Sequence, residues 1–326
     1  MSGTGPLATI MIPTYGQAEL LAHAIDSALA QTYAPLEVIV ADDASPDATA
    51  AVVSDYLADP RLRYVRRERN LGRTANYRTT LRHDATGVVA LNLDGDDWLL
   101  DPNYLAEAME LYRERPELAL VFARADDFSA RTGTYEETSV NRNLERVNSG
   151  TDLLRAYADG SVSIPHATAL YRRDRALAAN FYAYDCVGSD TIALLSLLPG
   201  NSVGFVDVVA AAWNKHDDNA TFRTSATGRL SNDRLVVDVP AEYVRSARAL
   251  SERELATWQR RMGARWGLSY LEDCAVAGQY GAALHYLLAT ITSRPATGAS
   301  LVLAALRKGT RRFAAPQHRT PAGGQA

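Results

Sequence analysis

Predominantly apolar runs of strand length alternate with segments of helical periodicity through the first 125 residues, and no other feature of the chain constrains its fold as strongly. Leu7–Ile12 and Leu36–Ala41 are two such runs, and between them the apolar residues of segment 17–31 recur on one helical face. Further strands are predicted at Leu62–Val65, Gly87–Leu93 and Leu118–Ala123. Buried strands that alternate with helices predict an α/β fold, in which helices cover both faces of a mostly parallel sheet.

The composition of the chain is that of an ordinary globular protein. Its 326 residues are 47% hydrophobic and carry a net charge of −4, which gives no general attraction to nucleic acid or to anionic membranes. Cys186 and Cys274 show neither metal-site spacing nor a disulfide framework, which indicates a reducing compartment. The N-terminal segment lacks a basic region, and no uncharged apolar run reaches the roughly 20 residues of a membrane-spanning helix. We therefore expect a cytoplasmic setting, with at most peripheral contact with the inner face of the membrane.

The middle of the chain is predicted to be less regular. A loop is expected near Ser129–Asn148, followed by a helix from Thr151. Strands are predicted at Ala167–Arg173 and Val203–Trp213, and an apolar helix that opens at Ser189 lies between them. This part of the chain therefore continues the α/β pattern with longer connections.

Beyond about Ala226 the strand signal ends, and helical segments follow to about Leu306. One of them is expected to begin with a capping box, in which Ser251 and Glu254 bond each other's backbone amides. The segment Ala283–Leu306 is expected to pack on the rest of the protein rather than rest on a membrane surface, because its apolar runs are short. The last residues, about 309–326, are predicted to form a disordered tail.

Asp94, Asp96 and Asp97 follow the predicted strand 87–93 almost directly. Ligands of open parallel sheets bind at the carboxyl ends of the strands. Asp94 and Asp96 are two residues apart, so both carboxylates face one side if the chain stays extended, and such a pair suits Mg²⁺ or Mn²⁺. The alternative is a solvated acidic turn before the next helix, which is predicted to start at Asp101 and Pro102.

Two earlier strand ends carry features with two interpretations each. Asp42 and Asp43 end the second strand, either as part of a ligand site or as turn residues that bond local amides. Ser45 is expected to cap the following helix, with Pro46 at its first position. The segment 13–16, PTYG, is either a turn or an aromatic platform for a base. No Gly-x-Gly-x-x-Gly follows the first strand, which argues against a Rossmann dinucleotide site.

These features, in this order, resemble glycosyltransferase family 2, whose members have the GT-A fold. Four segments carry the resemblance: ATIMIPTYGQAELLAHAIDSALAQTY, LEVIVADDASPDAT, RNLGRTANY and LNLDGDDWL, the last of which is similar to the family's Asp-x-Asp motif. The resemblance runs from about Ala8 to Phe222. It implies a GT-A domain over 1–225, with a nucleotide-binding half to about 125 and an acceptor-side half over 126–225, followed by a helical region over 226–308.

The resemblance implies a nucleotide site at the first two strand ends. Pro13, Thr14 and Tyr15 line the base, with the Tyr15 ring against it. Asp43 accepts a hydrogen bond from the base N–H, and Asp42 supports that turn. Because Tyr15 and Asp43 suit uracil, UDP is the favoured nucleotide, while dTDP presents a similar edge and GDP is less favoured.

Other residues are implied to contact the rest of the donor. Asp94 is assigned to the ribose, Arg73 to the diphosphate, and Asp97 to the donor sugar or to the orientation of its own loop. Asp96 is implied to bind the metal ion, Mn²⁺ or Mg²⁺. His216, in a segment that resembles the family's basic His segment, is implied to ligate the metal or touch the diphosphate.

Asp190 is implied to be the general base. The segment VGSDTIALLSL resembles the family's Glu-Asp segment before an apolar helix, with Ser189 where a glutamate usually stands. The alternative is that Asp190 has no catalytic role and only caps or stabilises the N-terminus of the helix.

The chain is therefore predicted to be an inverting glycosyltransferase that moves a hexosyl or N-acetylhexosaminyl group from a nucleotide diphosphate sugar to an acceptor hydroxyl by metal-assisted single displacement. Expected acceptors are a glycan, a lipid-linked glycan or a small molecule, with no nucleic acid partner. Two alternatives remain open. Ser189 in place of glutamate suggests a non-catalytic nucleotide-sugar-binding protein. A sugar-phosphate nucleotidyltransferase shares strand-end carboxylates, but its Gly-rich basic loop is absent from PTYGQAE.

Overall fold

The computed structural model describes residues 5–137, 140–141, 143–216 and 226–314, with the backbone alone at 226–227 and 308–314. In these ranges the strands are β1 Ala8–Thr14, β2 Leu36–Asp42, β3 Leu62–Arg66, β4 Val89–Asn92, β5 Trp98–Leu99, β6 Leu120–Ser129, β7 Thr134–Glu137, β8 Val147–Ser149, β9 Leu170–Arg172 and β10 Ser202–Lys215. The α-helices are α1 Ala18–Leu29, α2 Thr49–Ser54, α3 Arg73–Thr79, α4 Tyr104–Glu114, α5 Gly150–Asp159, α6 Arg173–Ala178, α7 Ser189–Ser196, α8 Ala226–Ser246, α9 Glu252–Val276, α10 Tyr280–Ser293 and α11 Pro295–Ala314. A π-helical turn, Thr80–Asp84, continues α3, and a 3₁₀ turn, His166–Thr168, precedes β9.

The strands form one sheet of order β3-β2-β1-β4-β9-β6-β10-β5, with β7 beside β6 and β8 beside β10. The pairs β3–β2, β2–β1, β1–β4 and β6–β10 are parallel. Strand β9 is antiparallel to both of its neighbours, β4 and β6. The predicted α/β fold with a mostly parallel sheet is confirmed, and the carboxyl ends of β2, β1 and β4 lie side by side.

Successive residues of the central strands face two separate cores. Ile10 and Ile12 of β1 belong to the core that α1, α2 and α4 cover. Met11 of β1 and Ile39 of β2 face the opposite core, which is built with α3, α5, α7, α8 and α9. All four side chains are fully buried. Because helices cover both faces, these strands are apolar at nearly every position.

Helix α2 begins later than predicted, and Ser45 is not its N-cap. The helix starts at Thr49, whose amide and hydroxyl donate hydrogen bonds to the Asp47 carboxylate (3.1 and 2.6 Å). Ser45 belongs instead to the turn after β2, because its amide donates to Asp42 Oδ1 (2.7 Å) and its hydroxyl accepts from Gly16 N (3.0 Å). A neighbouring side chain therefore holds Ser45 outside the helix.

Three other predicted boundaries differ from the observed ones. Helix α4 begins at Tyr104, and Asp101 accepts a backbone hydrogen bond (2.8 Å) in the turn before it. The region predicted as a loop, 129–148, contains the exposed strand β7 and the start of β8. The strand predicted at Ala167–Arg173 starts with the 3₁₀ turn, and only Leu170–Arg172 pairs in the sheet.

The C-terminal part of the described chain consists of α8 to α11. The predicted capping box of α9 is confirmed: Ser251 Oγ accepts from Glu254 N, and the Glu254 carboxylate accepts from Ser251 N (2.9 Å). Helix α11 runs to Ala314, so the predicted tail 309–326 begins too early, and its remainder lies outside the described residues. Within the described ranges, no helix is long and apolar enough to cross a bilayer.

Candidate active site

The carboxyl ends of three adjacent strands form one edge of the sheet. Asp43 N donates to Thr14 O (2.9 Å), which ties the turn after β2 to β1, and Gly95 N donates to Pro13 O (3.1 Å), which ties the turn after β4 to β1. A Cβ added at Gly95 would lie 2.9 Å from Gln17 Oε1 and 3.0 Å from Thr14 Oγ1. Glycine at this position therefore lets the acidic turn approach β1 closely.

Tyr15 is an exposed aromatic residue at this edge. Pro13 and Thr14, the last residues of β1, are buried, whereas Tyr15 is 50% exposed. Gly16 follows with a φ of 66° and turns the chain back, where its amide donates to Ser45 Oγ (3.0 Å). The Tyr15 ring thus stands on an ordered turn and is available to a planar ligand.

The two aspartates at the end of β2 have different partners. Asp42 is fully buried and accepts a hydrogen bond from Tyr64 Oη (2.5 Å). Asp43 accepts from Leu71 N (2.8 Å) and Gly72 N (2.9 Å), one on each carboxylate oxygen. Asp43 therefore holds the Asn-x-Gly loop at the edge of the sheet.

Two of the three carboxylates in the turn after β4 are fixed by neutral donors. Asp94 Oδ1 accepts from Tyr77 Oη (2.6 Å) and from Asn92 Nδ2 (2.9 Å). Asp97 is buried and accepts from Asn214 N (2.9 Å), near the end of β10. The partners come from α3, β4 and β10, so the position of this turn depends on the tertiary fold.

The third carboxylate, Asp96, faces a histidine: its Oδ2 lies 2.9 Å from His216 Nε2, directly after β10. Burial raises the pKa of Asp96 and the charge of Asp94 adds to the rise, while the hydrogen bond with His216 opposes it. Burial and the charges of Asp96 and Asp94 raise the pKa of Asp97 well above its usual value. Carboxylates crowded in this way favour an added cation or proton.

A divalent cation fits this donor set. The Asp96 carboxylate and the His216 imidazole offer two ligand atoms close to one point, and a cation there offsets the repulsion among the three carboxylates. In the part of the chain that the structure describes, no group of three or more His, Cys, Asp and Glu side chains is arranged to hold a metal ion. Further ligands of such an ion are then water or substrate oxygens, which is usual for Mg²⁺.

Arg73, at the start of α3, connects the acidic turn with the approach to α7. Its guanidinium donates to the carbonyl oxygens of Cys186 (3.1 Å) and Val187 (3.2 Å). It also interacts electrostatically with both Asp94 and Asp190. Arg73 therefore links the acidic turn to the helix that carries Asp190.

Asp190 is the second residue of α7 and is partly exposed. Ser189 before it is buried, and its hydroxyl lies 3.4 Å from that of Thr74 on α3. A Cβ added at Gly188 would lie 2.5 Å from the Val236 side chain, so the N-terminus of α7 packs tightly against α8. Neighbours from two other helices thus fix the position of Asp190.

The residues beneath the acidic turn were not predicted from the sequence. Tyr77 is buried, donates to Asp94, and packs edge-on against Tyr182 with ring centroids 5.3 Å apart. Tyr182 Oη in turn lies 2.9 Å from His166 Nε2. The sequence could have pointed to Tyr77, because it lies four residues after Arg73, a predicted site residue, and such residues share one face of a helix.

Every residue predicted for the site lies at a strand end, in a turn next to one, or at a helix N-terminus: Pro13, Thr14, Tyr15, Asp42, Asp43, Arg73, Asp94, Asp96, Asp97, Asp190 and His216. Asp42, Asp43 and Asp97 are buried, and each already accepts hydrogen bonds from the protein. Asp42 accepts from Ser45 N and Tyr64 Oη, and these contacts support the turn after β2.

The family model of glycosyl transferase family 2 matches residues 9–177, more than half of the chain. The chain belongs to this family. The matched range includes the strand ends of β1, β2 and β4 and the Asp-x-Asp segment, whereas Asp190 and His216 lie beyond it. The resemblance found in the four sequence segments is thereby confirmed.

Curated relatives match over short stretches. Chondroitin synthase of Escherichia coli is 31% identical over 119 residues, which cover 36% of this chain and 17% of that protein. Succinoglycan biosynthesis protein ExoO of Rhizobium meliloti (strain 1021) is 43% identical over 67 residues, which cover 21% of this chain and 19% of that protein. An uncharacterized protein of Mycobacterium tuberculosis is 37% identical over 117 residues, 35% of this chain and 34% of its own length. The chain thus spans about a third of these relatives or less.

Solved structures match over nearly the whole chain. Residues 1–349 of Staphylococcus aureus TarS give a TM-score of 0.64 at 16% identity, over 93% of this chain and 91% of that one. The mannosyltransferase PcManGT of Pyrobaculum calidifontis, in complex with GDP-Man and Mn²⁺, gives 0.54 at 18% identity, over 94% and 88% of the two chains. At these identities the likeness shows the shared GT-A fold.

Proposed function

We propose that this family 2 member is an inverting glycosyltransferase that takes a sugar from a UDP-sugar with the help of a divalent cation. The proposal rests on three observations: Tyr15 is exposed at the end of β1, Asp96 pairs with His216 in the turn after β4, and Arg73 interacts with both Asp94 and Asp190. A platform for a base, a cation site and a proton-accepting carboxylate are the parts that such a transfer needs.

The nucleotide is bound at the ends of β1 and β2 in this proposal. The Tyr15 ring stacks on the base, and Asp43 accepts a hydrogen bond from the base N–H. The amides of Leu71 and Gly72 already hold the Asp43 carboxylate, so it needs no reorganisation to meet the base. Uracil presents one N–H between two carbonyl groups, which suits a single carboxylate acceptor. TarS has been solved with UDP and UDP-GlcNAc, which supports a UDP donor on this fold, whereas the PcManGT complex contains GDP-Man.

The ribose and the diphosphate lie along the acidic turn in this proposal. Asp94, which Tyr77 orients, accepts from a ribose hydroxyl, and Arg73 contacts the diphosphate. Asp96 and His216 hold Mn²⁺ or Mg²⁺, and the Mn²⁺ in the PcManGT complex supports a cation on this fold. When bound, such an ion supplies positive charge that offsets the negative charge of the departing diphosphate.

Asp190 is the general base of the proposed reaction. An acceptor hydroxyl attacks the anomeric carbon from the face opposite the nucleotide, and its proton passes to the Asp190 carboxylate. The bond between the anomeric carbon and the diphosphate oxygen breaks, and the electron pair leaves with the nucleoside diphosphate. One displacement therefore inverts the configuration at the anomeric carbon. A positioned base typically accelerates such a step by about 10²–10⁴-fold.

A glycan is the proposed acceptor, because chondroitin synthase and a succinoglycan biosynthesis protein are among the relatives. The transferred group is a hexosyl or N-acetylhexosaminyl unit. Lipid-linked glycans and small molecules present the same reactive group, a hydroxyl, to Asp190.

Donor turnover in the absence of an acceptor tests the proposal. The protein is incubated with UDP-, dTDP- and GDP-sugars in the presence of Mn²⁺, and the released nucleoside diphosphate is measured, with EDTA as the control. We expect release of UDP that EDTA stops, and a melting temperature raised by UDP only when Mn²⁺ is present. Binding of UDP-sugars without release would instead indicate a non-catalytic binding protein. Preferential turnover of a GDP-sugar would contradict the donor assignment.

A further inference from the structure

Helix α10 exposes an apolar stripe to solvent. Tyr280, Leu284, Leu288 and Ile291 are spaced four, four and three residues apart and therefore line one side of the helix. All four are among the exposed large hydrophobic residues. The opposite side, which includes Tyr286, is buried against α9. The helix is thus apolar on two sides, although packing within the protein uses only one of them.

Helix α11 extends this surface. A Cβ added at Gly267 of α9 would lie 3.0 Å from both Leu301 of α11 and Tyr286 of α10, so both helices pack on α9, and α10 and α11 also contact each other. The six outward side chains are between 39% and 70% exposed and form what we call the C-terminal apolar face: Tyr280, Leu284, Leu288, Ile291, Leu303 and Leu306. A single exposed leucine is ordinary, but a set of this size on adjacent helices is typical of a docking surface.

The same pair of helices is basic. Between Tyr280 and Ala314 the sequence contains five basic residues and no Asp or Glu, a local net charge of +5 in a chain whose total is −4. Arg294 pairs with Asp238. The other four basic residues, at positions 307, 308, 311 and 312, follow Leu306 in the last part of α11. The apolar face therefore ends in a concentration of positive charge.

We propose that the C-terminal apolar face and its basic end bind the surface of an anionic lipid bilayer. A helix of this kind lies at the membrane interface with its apolar side among the upper acyl chains, while Lys and Arg contact anionic headgroups. A second copy of the chain could also cover apolar side chains. A second copy would bring a second basic segment to this face, however, whereas an anionic bilayer complements its charge.

Membrane binding through this face leaves the candidate active site assembled. Helix α10 packs on α8, and α8 packs on α7, the helix that carries Asp190. The lipid-binding side chains belong to α10 and α11, and none of them is among the predicted donor-binding residues. The proposal therefore stands or fails independently of the glycosyltransferase assignment.

Co-sedimentation with vesicles tests the apolar part of the proposal. The full chain is mixed with vesicles of phosphatidylcholine alone or with added phosphatidylglycerol, and we expect binding to the anionic vesicles that salt weakens. The double variant Leu284→Glu and Leu288→Glu should lower the partition coefficient by about tenfold or more, because it places two charges in the apolar face. Leu57→Glu, at an exposed leucine near α2, is the matched control and should bind like the wild type. Leu303→Glu is a second variant on α11.

A charge variant tests the basic part separately. Arg311→Gln with Arg312→Gln leaves the apolar face intact and should reduce binding to anionic vesicles by about tenfold or more, with a weaker dependence on salt. Circular dichroism checks that each variant melts like the wild type. Absence of binding to anionic vesicles, or equal binding by the Leu284 and Leu288 double variant, would overturn the proposal. The wild type could instead form a concentration-dependent dimer, lost in the Leu284 and Leu288 double variant, and fail to bind vesicles. That result would show that the face binds a second copy of the chain.

Discussion

The aspartates at the edge of the sheet differ in their hydrogen-bond partners, and we expect them to differ in role for that reason. Asp42 is fully buried and bonded to Tyr64, so it supports the turn after β2. Asp94 and Asp96 share one turn, yet Tyr77 orients the first while the second faces His216. These aspartates are alike in sequence, and only burial and partners distinguish them. The chemistry of each can therefore be tested by a separate substitution.

Replacement of Tyr15 by alanine is expected to weaken UDP binding by about 1–3 kcal/mol, the usual worth of a base–aromatic stack. The residue is 50% exposed, so folding should be little affected. Tyr135→Ala, at a tyrosine of β7 that is 49% exposed, is the matched control and should bind UDP like the wild type. Calorimetric titration measures both constants. An unchanged Kd for Tyr15→Ala would show that Tyr15 is a turn residue only.

The substitution Asp96→Asn is expected to remove most of the stimulation of UDP binding by Mn²⁺. The amide keeps the size of the side chain but offers the cation no charge, so the affinity in Mn²⁺ should fall by about tenfold or more. Asp207→Asn, at an exposed carboxylate on β10, should leave the metal dependence unchanged. Titrations with and without Mn²⁺ give the comparison. If Asp96→Asn keeps the metal response of the wild type, Asp96 is not a ligand.

Among the elements, the apolar strands were predictable, whereas the start of α2 and the exposed strand β7 were not. The apolar run Leu7–Ile12 lies almost wholly within β1, because burial on both faces imposes a pattern that the sequence displays. The start of α2 was predicted wrongly at Ser45, because the choice between capping residues is made by the carboxylate of Asp42 at the end of another element. Strand β7, Thr134–Glu137, is exposed at each position and has no apolar pattern that would distinguish it from a loop.

The close approach of the acidic turn to β1 predicts the effect of Gly95→Ala. The new Cβ would lie about 3 Å from both the Gln17 and Thr14 side chains, so Gln17 must shift and Thr14 or the turn must give by a few tenths of an ångström. We expect a loss of about 1–3 kcal/mol in the free energy of unfolding and weaker UDP binding. Gly281→Ala on α10 has no atom within 4 Å of the added methyl group and should stabilise that helix by up to about 1 kcal/mol. Urea denaturation measures both changes, and an unaltered Gly95→Ala protein would contradict the packing described here.

For the whole molecule, the order of the sequence segments was sufficient to predict the fold and the sheet edge at which the candidate residues lie, because parallel strands bring their carboxyl ends together. The contact of His216 with Asp96 agrees with the resemblance, which assigned both residues to the metal ion, whereas the contact of Arg73 with Cys186 was not predicted. Both depend on the path of the chain after β4, where the connections are long and carry no periodic signal. The segment Ala283–Leu306 was expected to pack on the protein, and one side of it does, whereas the side with Leu284 is exposed.

In the proposed reaction Asp190 accepts a proton from the group that attacks the donor sugar, and the substitution Asp190→Asn tests this role. Asparagine keeps the size of the side chain and is compatible with a helix N-terminus, but it cannot take the proton. Asp185→Asn, at an exposed aspartate five residues earlier, is the control. The measurement is turnover of the UDP-sugar, with water or a glycan as acceptor, beside the Kd for UDP and the melting temperature. We expect Asp190→Asn to lower turnover by about 10²–10⁴-fold, while UDP affinity, melting temperature and the control stay near wild type. Near-normal turnover by Asp190→Asn would contradict this role.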